Sequence, residues 1–360
     1  MITDVMDRAQ HEAGALPDVP LDREPKWSYS CRGLDPVLDY RLSPLAGPGP
    51  RVGDVALARV EAIGFHSRMM TARHGRLRLY SGDSIVGIFG NRYATAAFEG
   101  EVLPGEEVHI LTSAGMLGTV RSRHQNMAPP TRLSLLGYLA EPDGKRINLK
   151  ERQFHPRLPG HPLPDVVLVV GTSMNSGKTT AGAKLASSLV RRGLRVGVCK
   201  LTGSVCHRDI EEWQATGAHH VRDFSDYGLP STYLCRKEEL ISLFLTMIAD
   251  AAEIRPDILV MEVADGLLQR ETKLLLEDPR VREHVRGVVL AATCPGSALF
   301  GFAQLAARSH RVLAVSGVIT SSPLFVRELL SHERIPVASS AGTGEELADE
   351  VMRRICCAAA

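Results

Sequence analysis

Long hydrophobic runs are missing from this 360-residue sequence. No stretch of about 18 apolar residues occurs, so no transmembrane helix is expected. Charge of one sign is also missing: 42 Lys and Arg against 41 Asp and Glu leave a net charge of +1. Aromatic residues make up only 5 % and form no stripe interleaved with basic residues, so a nucleic-acid surface is not expected. The seven cysteines, at 31, 199, 206, 235, 294, 356 and 357, are odd in number and have no C-x-x-C spacing. They read as reduced thiols rather than a disulfide framework or a zinc site. His66, His74, His109 and His124 have no metal-ligand spacing and read as ordinary histidines. The opening MITDVMDRAQHEAG carries neither a basic leader nor an apolar core, and the expectation is a soluble, cytoplasmic protein without membrane partners.

What the chain does have is 44 % apolar residues, enough to build a core in each of two domains. Its most informative stretch is VVLVVGTSMNSGKTT, residues 166 to 180. Val166 to Val170 form an unbroken apolar run suited to a parallel strand covered on both faces. Gly171 ends it. From Gly171 to Gly177 the side chains are mostly small, so backbone N–H groups can curl around phosphate oxygens at the positive end of the next helix. Gly171, Thr172, Asn175, Ser176, Gly177, Lys178, Thr179 and Thr180 are therefore the expected nucleotide contacts. Lys178 would reach the outer phosphates, and the Thr179 hydroxyl is placed for Mg²⁺.

The rest of the chain divides by composition. Residues 1 to 50, rich in Pro, Asp and Gly, read as an extended arm, and residues 51 to 125 as short β-runs between turn signals that suggest a small barrel or sandwich. In that region Arg92 and Tyr93 read either as structural groups or as a contribution to the site. Residues 126 to 163 read as a Pro- and Gly-rich linker with one short helix or strand near Leu133 to Leu139. From 164 to 360 strands and helices alternate, which predicts an α/β, doubly wound, mainly parallel sheet with ligands beyond the carboxyl ends of its strands.

Several polar residues stand at those ends. Lys200 closes the second strand and reads either as a solvated terminal lysine or as a cation for phosphate or substrate; Thr202 and Gly203 follow it as candidate anion contacts. Asp209 is the expected cap of the next helix, with His207 and Arg208 adjacent. Glu262, after ILVM, occupies the place of a Mg²⁺-binding acid. Asp265 suits either a general base or a helix cap.

Five residues separate Gly171 from Gly177, one more than the strict Walker A spacing. With Thr172 after the first glycine, the loop resembles GTxxxxGKT of dethiobiotin synthetase and the related cobyrinate amidase and molybdopterin-guanine dinucleotide accessory proteins, over residues 164 to 345. The resemblance implies that Lys200 binds substrate and phosphates, that Asp209 and Glu262 bind Mg²⁺, that Pro336 and Glu345 border the base, and that the protein is a homodimer. One departure stands out: the family's EGAGG is EVADG here, placing Asp265 where a small residue is expected.

The resulting expectation is an ATP- and Mg²⁺-dependent kinase acting on a hydroxyl of a small metabolite, with Lys178, Lys200 and Asp265 as catalytic groups. A ligase acting through an acyl or carbamoyl phosphate is the reading nearest the resemblance. A partner-regulated NTPase is the third, although Thr172, Ser173 and Met174 stand where signature-lysine ATPases carry an additional lysine.

Overall fold

The computed structural model describes residues 24–36, 40–105, 107–160 and 162–357. The chain forms two compact units. One runs through Phe154 and includes Ser204–His207 and Ser225–Ser231; the other comprises the remaining residues from His155 onward.

The first unit is built from β1 (Lys26–Trp27), β2 (Arg41–Ser43), β3 (Val55–Ala62), β4 (Arg68–Thr71), β5 (Gly75–Arg78), β6 (Ser84–Phe89), β7 (Phe98–Glu101), β8 (Val108–Ile110), β9 (Met116–Arg123) and β10 (Arg132–Ala140), followed by a short helix α1 (Leu149–Gln153). Strands β6, β3, β10, β8 and β9 are hydrogen-bonded in that order, and a β6–β9 pairing closes them into a ring. Val60, Ile85, Ile110 and Leu117 pack within it, all almost fully buried.

Two expectations need correction here. Of the anticipated arm, residues 1–23 and 37–39 lie outside the described residues, but β1 joins the sheet beside β6 and β2 beside β10. Trp27 and Leu42 pack against a cluster containing Cys31, Leu34 and Tyr40, so burial rather than local propensity fixes this segment. The anticipated linker is not a linker throughout: the short helix or strand expected near Leu133 to Leu139 is β10, paired on both sides, to β3 and β8. Its register shifts between Leu135 and Gly137, which breaks the two-residue alternation that marks a strand in sequence.

The second unit contains β11 (Asp165–Gly171), α2 (Lys178–Arg191), β12 (Val196–Lys200), α3 (His207–Gln214), β13 (His220–Asp223), α4 (Lys237–Ala252), β14 (Ile258–Glu262), α5 (Arg270–Glu277), α6 (Pro279–His284), β15 (Val285–Ala291), α7 (Pro295–Ala307), β16 (Val312–Ser316), α8 (Pro323–His332) and α9 (Glu345–Cys356). Its six strands are parallel, in the order β13-β12-β14-β11-β15-β16. The fold is thus the doubly wound α/β sheet. Beyond β16, Val337 adds a single parallel bridge to Val315.

Chain winding reverses at β11, which has β14 on one side and β15 on the other. That is the switch point at which ligands collect in open parallel sheets. Apolar residues of β11, β12 and β14 share one core with Leu185 and Leu189 of α2 and with Leu347 and Val351 of α9. Among the described residues no helix is long and apolar enough to cross a membrane.

Candidate nucleotide site

The site begins where the buried run Val166–Val170 ends. Gly177, at φ 91°, takes the left-handed turn into α2 and brings Lys178 to its first position. Lys178 is only 7 % exposed. Its Nζ donates to the carbonyls of Ser173 at 2.8 Å and Asp265 at 2.7 Å, so the amine bridges the loop and the end of β14. Burial pulls its pKa down, and the carboxylates of Glu262 and Asp265 work against that. The hydroxyls of Thr172 and Ser176 are buried without a partner. Asn175 sits at φ 59°, the left-handed region that asparagine tolerates. Thr179 and Thr180 follow on α2, Thr179 partly buried and Thr180 exposed.

The loop is buttressed by the chain leaving β16. Val318 N donates to Ser176 O at 3.1 Å. A Cβ on Gly317 would lie 2.3 Å from that same oxygen, and φ there is 86°. Gly317→Ala is therefore expected to destabilise the second unit by about 1–3 kcal/mol through strain and steric clash, read in a urea titration. A variant as stable as the parent would show that the buttress is dispensable.

The ends of two strands, β12 and β14, lie beside the loop. Lys200, at the end of β12, forms a close ion pair with Asp209 and lies 3.5 Å from Glu262 Oε1. Lys200 and Glu262 are both buried, and Oε2 of Glu262 has no partner. Thr202 does not point to an anion: its hydroxyl accepts from Ala264 N at 2.8 Å. Asp265 follows at φ 65°. Burial raises its carboxyl from 3.8 to about 6, although Lys178 and Lys200 pull it down.

Several readings made from sequence change. Asp265 does not cap a helix, because α5 starts at Arg270 and is capped by Gln269, whose side chain accepts from Thr272 N. Asp209 is not a cap either; it lies inside the first turn of α3, where Lys200 holds it. Glu345 pairs with Arg191 and Arg192 at the far end of α2. That helix has 14 residues, so Glu345 is about 20 Å from the loop along its axis. Pro336 lends its carbonyl to Val315 N. In the first unit the His207 ring stands edge-on to Tyr29, and Arg92 and Tyr93 belong to the same unit.

Sequence reasoning missed Glu212. It follows Asp209 by three residues, a spacing that places both on one face of α3. Its carboxyl hydrogen-bonds Thr180, and burial together with Asp209 and Glu262 pushes its pKa up. The i, i+3 pair of acids was the available signal.

No protein-family model matches the sequence, and no curated protein matches it. Comparison with solved structures finds weak likenesses to part of the chain. One is the signal recognition particle receptor FtsY from Elizabethkingia anophelis in complex with GDP: identity 17 %, TM-score 0.35, with 56 % of this chain and 68 % of that chain covered. Another is the signal recognition particle 54 kDa protein from Aeropyrum pernix in complex with GDP, at 19 % identity, TM-score 0.38 and coverages of 59 % and 51 %. A DUF1611 family protein from Anabaena variabilis gives 17 %, 0.39, 55 % and 61 %.

The donor set fits a divalent cation held jointly with phosphates. Among the described residues no three His, Cys, Asp or Glu side chains are grouped to hold a metal by themselves. Mg²⁺ usually needs only one or two carboxylates, with phosphate and water supplying the remaining ligands. The orphaned, buried Oε2 of Glu262 is a carboxylate oxygen that such a hydrated ion would satisfy. Glu262→Gln is accordingly expected to raise the Mg²⁺ concentration needed for half-maximal nucleotide turnover by about tenfold or more. An unchanged Mg²⁺ requirement would make Glu262 a structural acid.

Proposed function

We propose that the second unit binds a nucleoside triphosphate with Mg²⁺ and transfers its terminal phosphoryl group to water, with turnover governed by a partner. The geometry that supports this reading is the Lys178 amine bridging the loop and the carbonyl of Asp265, beside the second cation Lys200, with the Asp265 carboxyl raised by burial to about 6. A base with that pKa is mostly ionised at pH 7 and can take the proton of an attacking water. Backbone N–H groups from Thr172 to Lys178 would cradle the phosphates, and the two lysines would neutralise charge that spreads over the transferred group. Thr179, Glu262 and the Asp209–Glu212 face would hold Mg²⁺, which when bound draws charge from the bridging phosphate oxygens.

Asp265 also supports a second reading, because it would accept the proton of a metabolite hydroxyl as readily; the protein would then be a small-molecule kinase. The dethiobiotin synthetase-like ligase reading rests on the loop spacing and Lys200, and the EVADG sequence departs from it at Asp265. ATP and GTP are both compatible with the phosphate cradle, which meets phosphates and not the base.

The test is to incubate the full chain with Mg²⁺ and ATP or GTP, alone and with a pool of small metabolites, and to follow diphosphate, free phosphate and product masses. Diphosphate and phosphate appearing together in equal amounts support hydrolysis. A metabolite heavier by one phosphoryl group would overturn it in favour of the kinase.

A further inference from the structure

Arg92 carries chemistry that the nucleotide site does not use. Its backbone is locked to β7: the Arg92 N–H donates to Gly100 O at 2.7 Å, and Gly100 N donates back at 3.0 Å. The guanidinium carbon then lies 5.9 Å from the ring centroid of the fully buried Phe98. Phe65 and His66 each stand edge-on to the same ring, at 5.8 Å. Two guanidinium nitrogens, Nε and Nη1, are buried and make no hydrogen bond. No carboxylate pairs with Arg92 among the described residues; the group that favours its charge is the Cys206 thiol. The residue as a whole is half-buried, so a ligand would approach it from that exposed side.

A buried, unpaired guanidinium is costly to fold around, and its unspent donors add to the cost. Burial brings its pKa down to about 10. His66 is held near 4 by burial and by Arg92 itself, so it is neutral around pH 7, and its Nε2 is already engaged with the Leu111 carbonyl at 3.0 Å. An anion from outside would satisfy the donors and offset the charge together.

We propose that Arg92 is the anchor of an anion-binding site in the first unit, and that its ligand is a small organic acid presenting a carboxylate. Charge balance selects the class. One guanidinium beside a neutral histidine compensates one negative charge, which a carboxylate carries and a phosphate exceeds at neutral pH. The planar carboxylate matches the guanidinium fork, and the exposed ring of Phe65, which stands edge-on to Phe98, offers apolar surface to the acid's carbon skeleton. The inference stands on the first unit alone and does not depend on the nucleotide reading.

Calorimetric titration and thermal unfolding of the full chain test it, with benzoate and acetate as probes, benzamide and acetamide as their neutral counterparts, and inorganic phosphate as the competing anion. Benzoate is expected to bind saturably and raise Tm, and benzamide to do neither. Arg92→Met should weaken benzoate binding on the order of 10- to 100-fold, while its ligand-free Tm equals or exceeds that of the parent because an unpaired buried charge is gone. Arg92→Lys, which keeps the charge and loses the fork, should bind with intermediate affinity. The proposal is overturned if acid and amide act alike, if neither acid binds, if phosphate is preferred, or if Arg92→Met retains benzoate binding. A ligand-free Arg92→Met that melts well below the parent also overturns it, since only a structurally paired arginine would behave so.

Discussion

Lys178→Ala is expected to reduce nucleotide turnover by on the order of 10²–10³-fold or more, with the fold retained. The amine has no structural substitute nearby. It reaches the loop and the end of β14 through the carbonyls of Ser173 and Asp265, which places a positive charge where the outer phosphates would lie. Lys200, the other cation at this edge, is already committed to Asp209 and Glu262. Removing Lys178 also removes a buried charge, so stability should change little; the two abandoned carbonyls cost something and the lost desolvation burden offsets it. Steady-state turnover and thermal unfolding of the same preparation check both halves. Normal turnover with an intact fold would remove Lys178 from the chemistry.

Asp265→Asn is expected to have opposite effects on activity and stability. If Asp265 accepts the proton, turnover falls by about 10²–10⁴-fold, and the acidic limb of the pH profile, centred near 6 in the parent, disappears. Stability moves the other way. The folded state favours the protonated carboxyl, so this group's contribution is fully present below its ordinary pKa of 3.8 and is lost as pH rises through about 6. A neutral amide at this position has no charge to bury and suffers no such loss. The substitution should therefore stabilise the protein by about 2 kcal/mol more at pH 7.5 than at pH 4.5. Asparagine also tolerates the φ of 65° that Asp265 adopts. Urea titrations at the two pH values measure the difference. Equal stability changes at both would mean that Asp265 ionises as freely in the folded chain as in the unfolded one.

How much of this was legible in the sequence depends on whether the signal was local. Val166–Val170 and Ile258–Glu262 announce themselves because a strand buried on both faces is apolar at every position before its functional end. Lys200 and Glu262 stand out for the same reason, as charges that end apolar runs. The strand His220–Asp223, at the end of the sheet beside β12, carries no such run, since its residues are mostly polar. Asp265 was legible as a residue but not in its role. Its left-handed backbone leads into Gly266, which packs so close to the loop that a Cβ would fall 2.7 Å from Thr172 O, a contact between residues far apart in sequence. Glu212 was hidden likewise, because its importance comes from Thr180 on another helix. Arg92 was visible as a residue to weigh, but its lack of partners is a property of the folded unit.

Every role assigned to these strand ends requires that the second unit hold a nucleoside triphosphate through its loop. The direct measurement is a fluorescence titration of the full chain with the N-methylanthraniloyl derivatives of ATP and GTP, with and without Mg²⁺, for the parent and Lys178→Ala. Saturable, Mg²⁺-strengthened binding of at least one of them by the parent, weakened by on the order of tenfold or more in Lys178→Ala, is the predicted result. Binding of neither nucleotide by the folded parent, or binding that ignores both Mg²⁺ and Lys178, would contradict it.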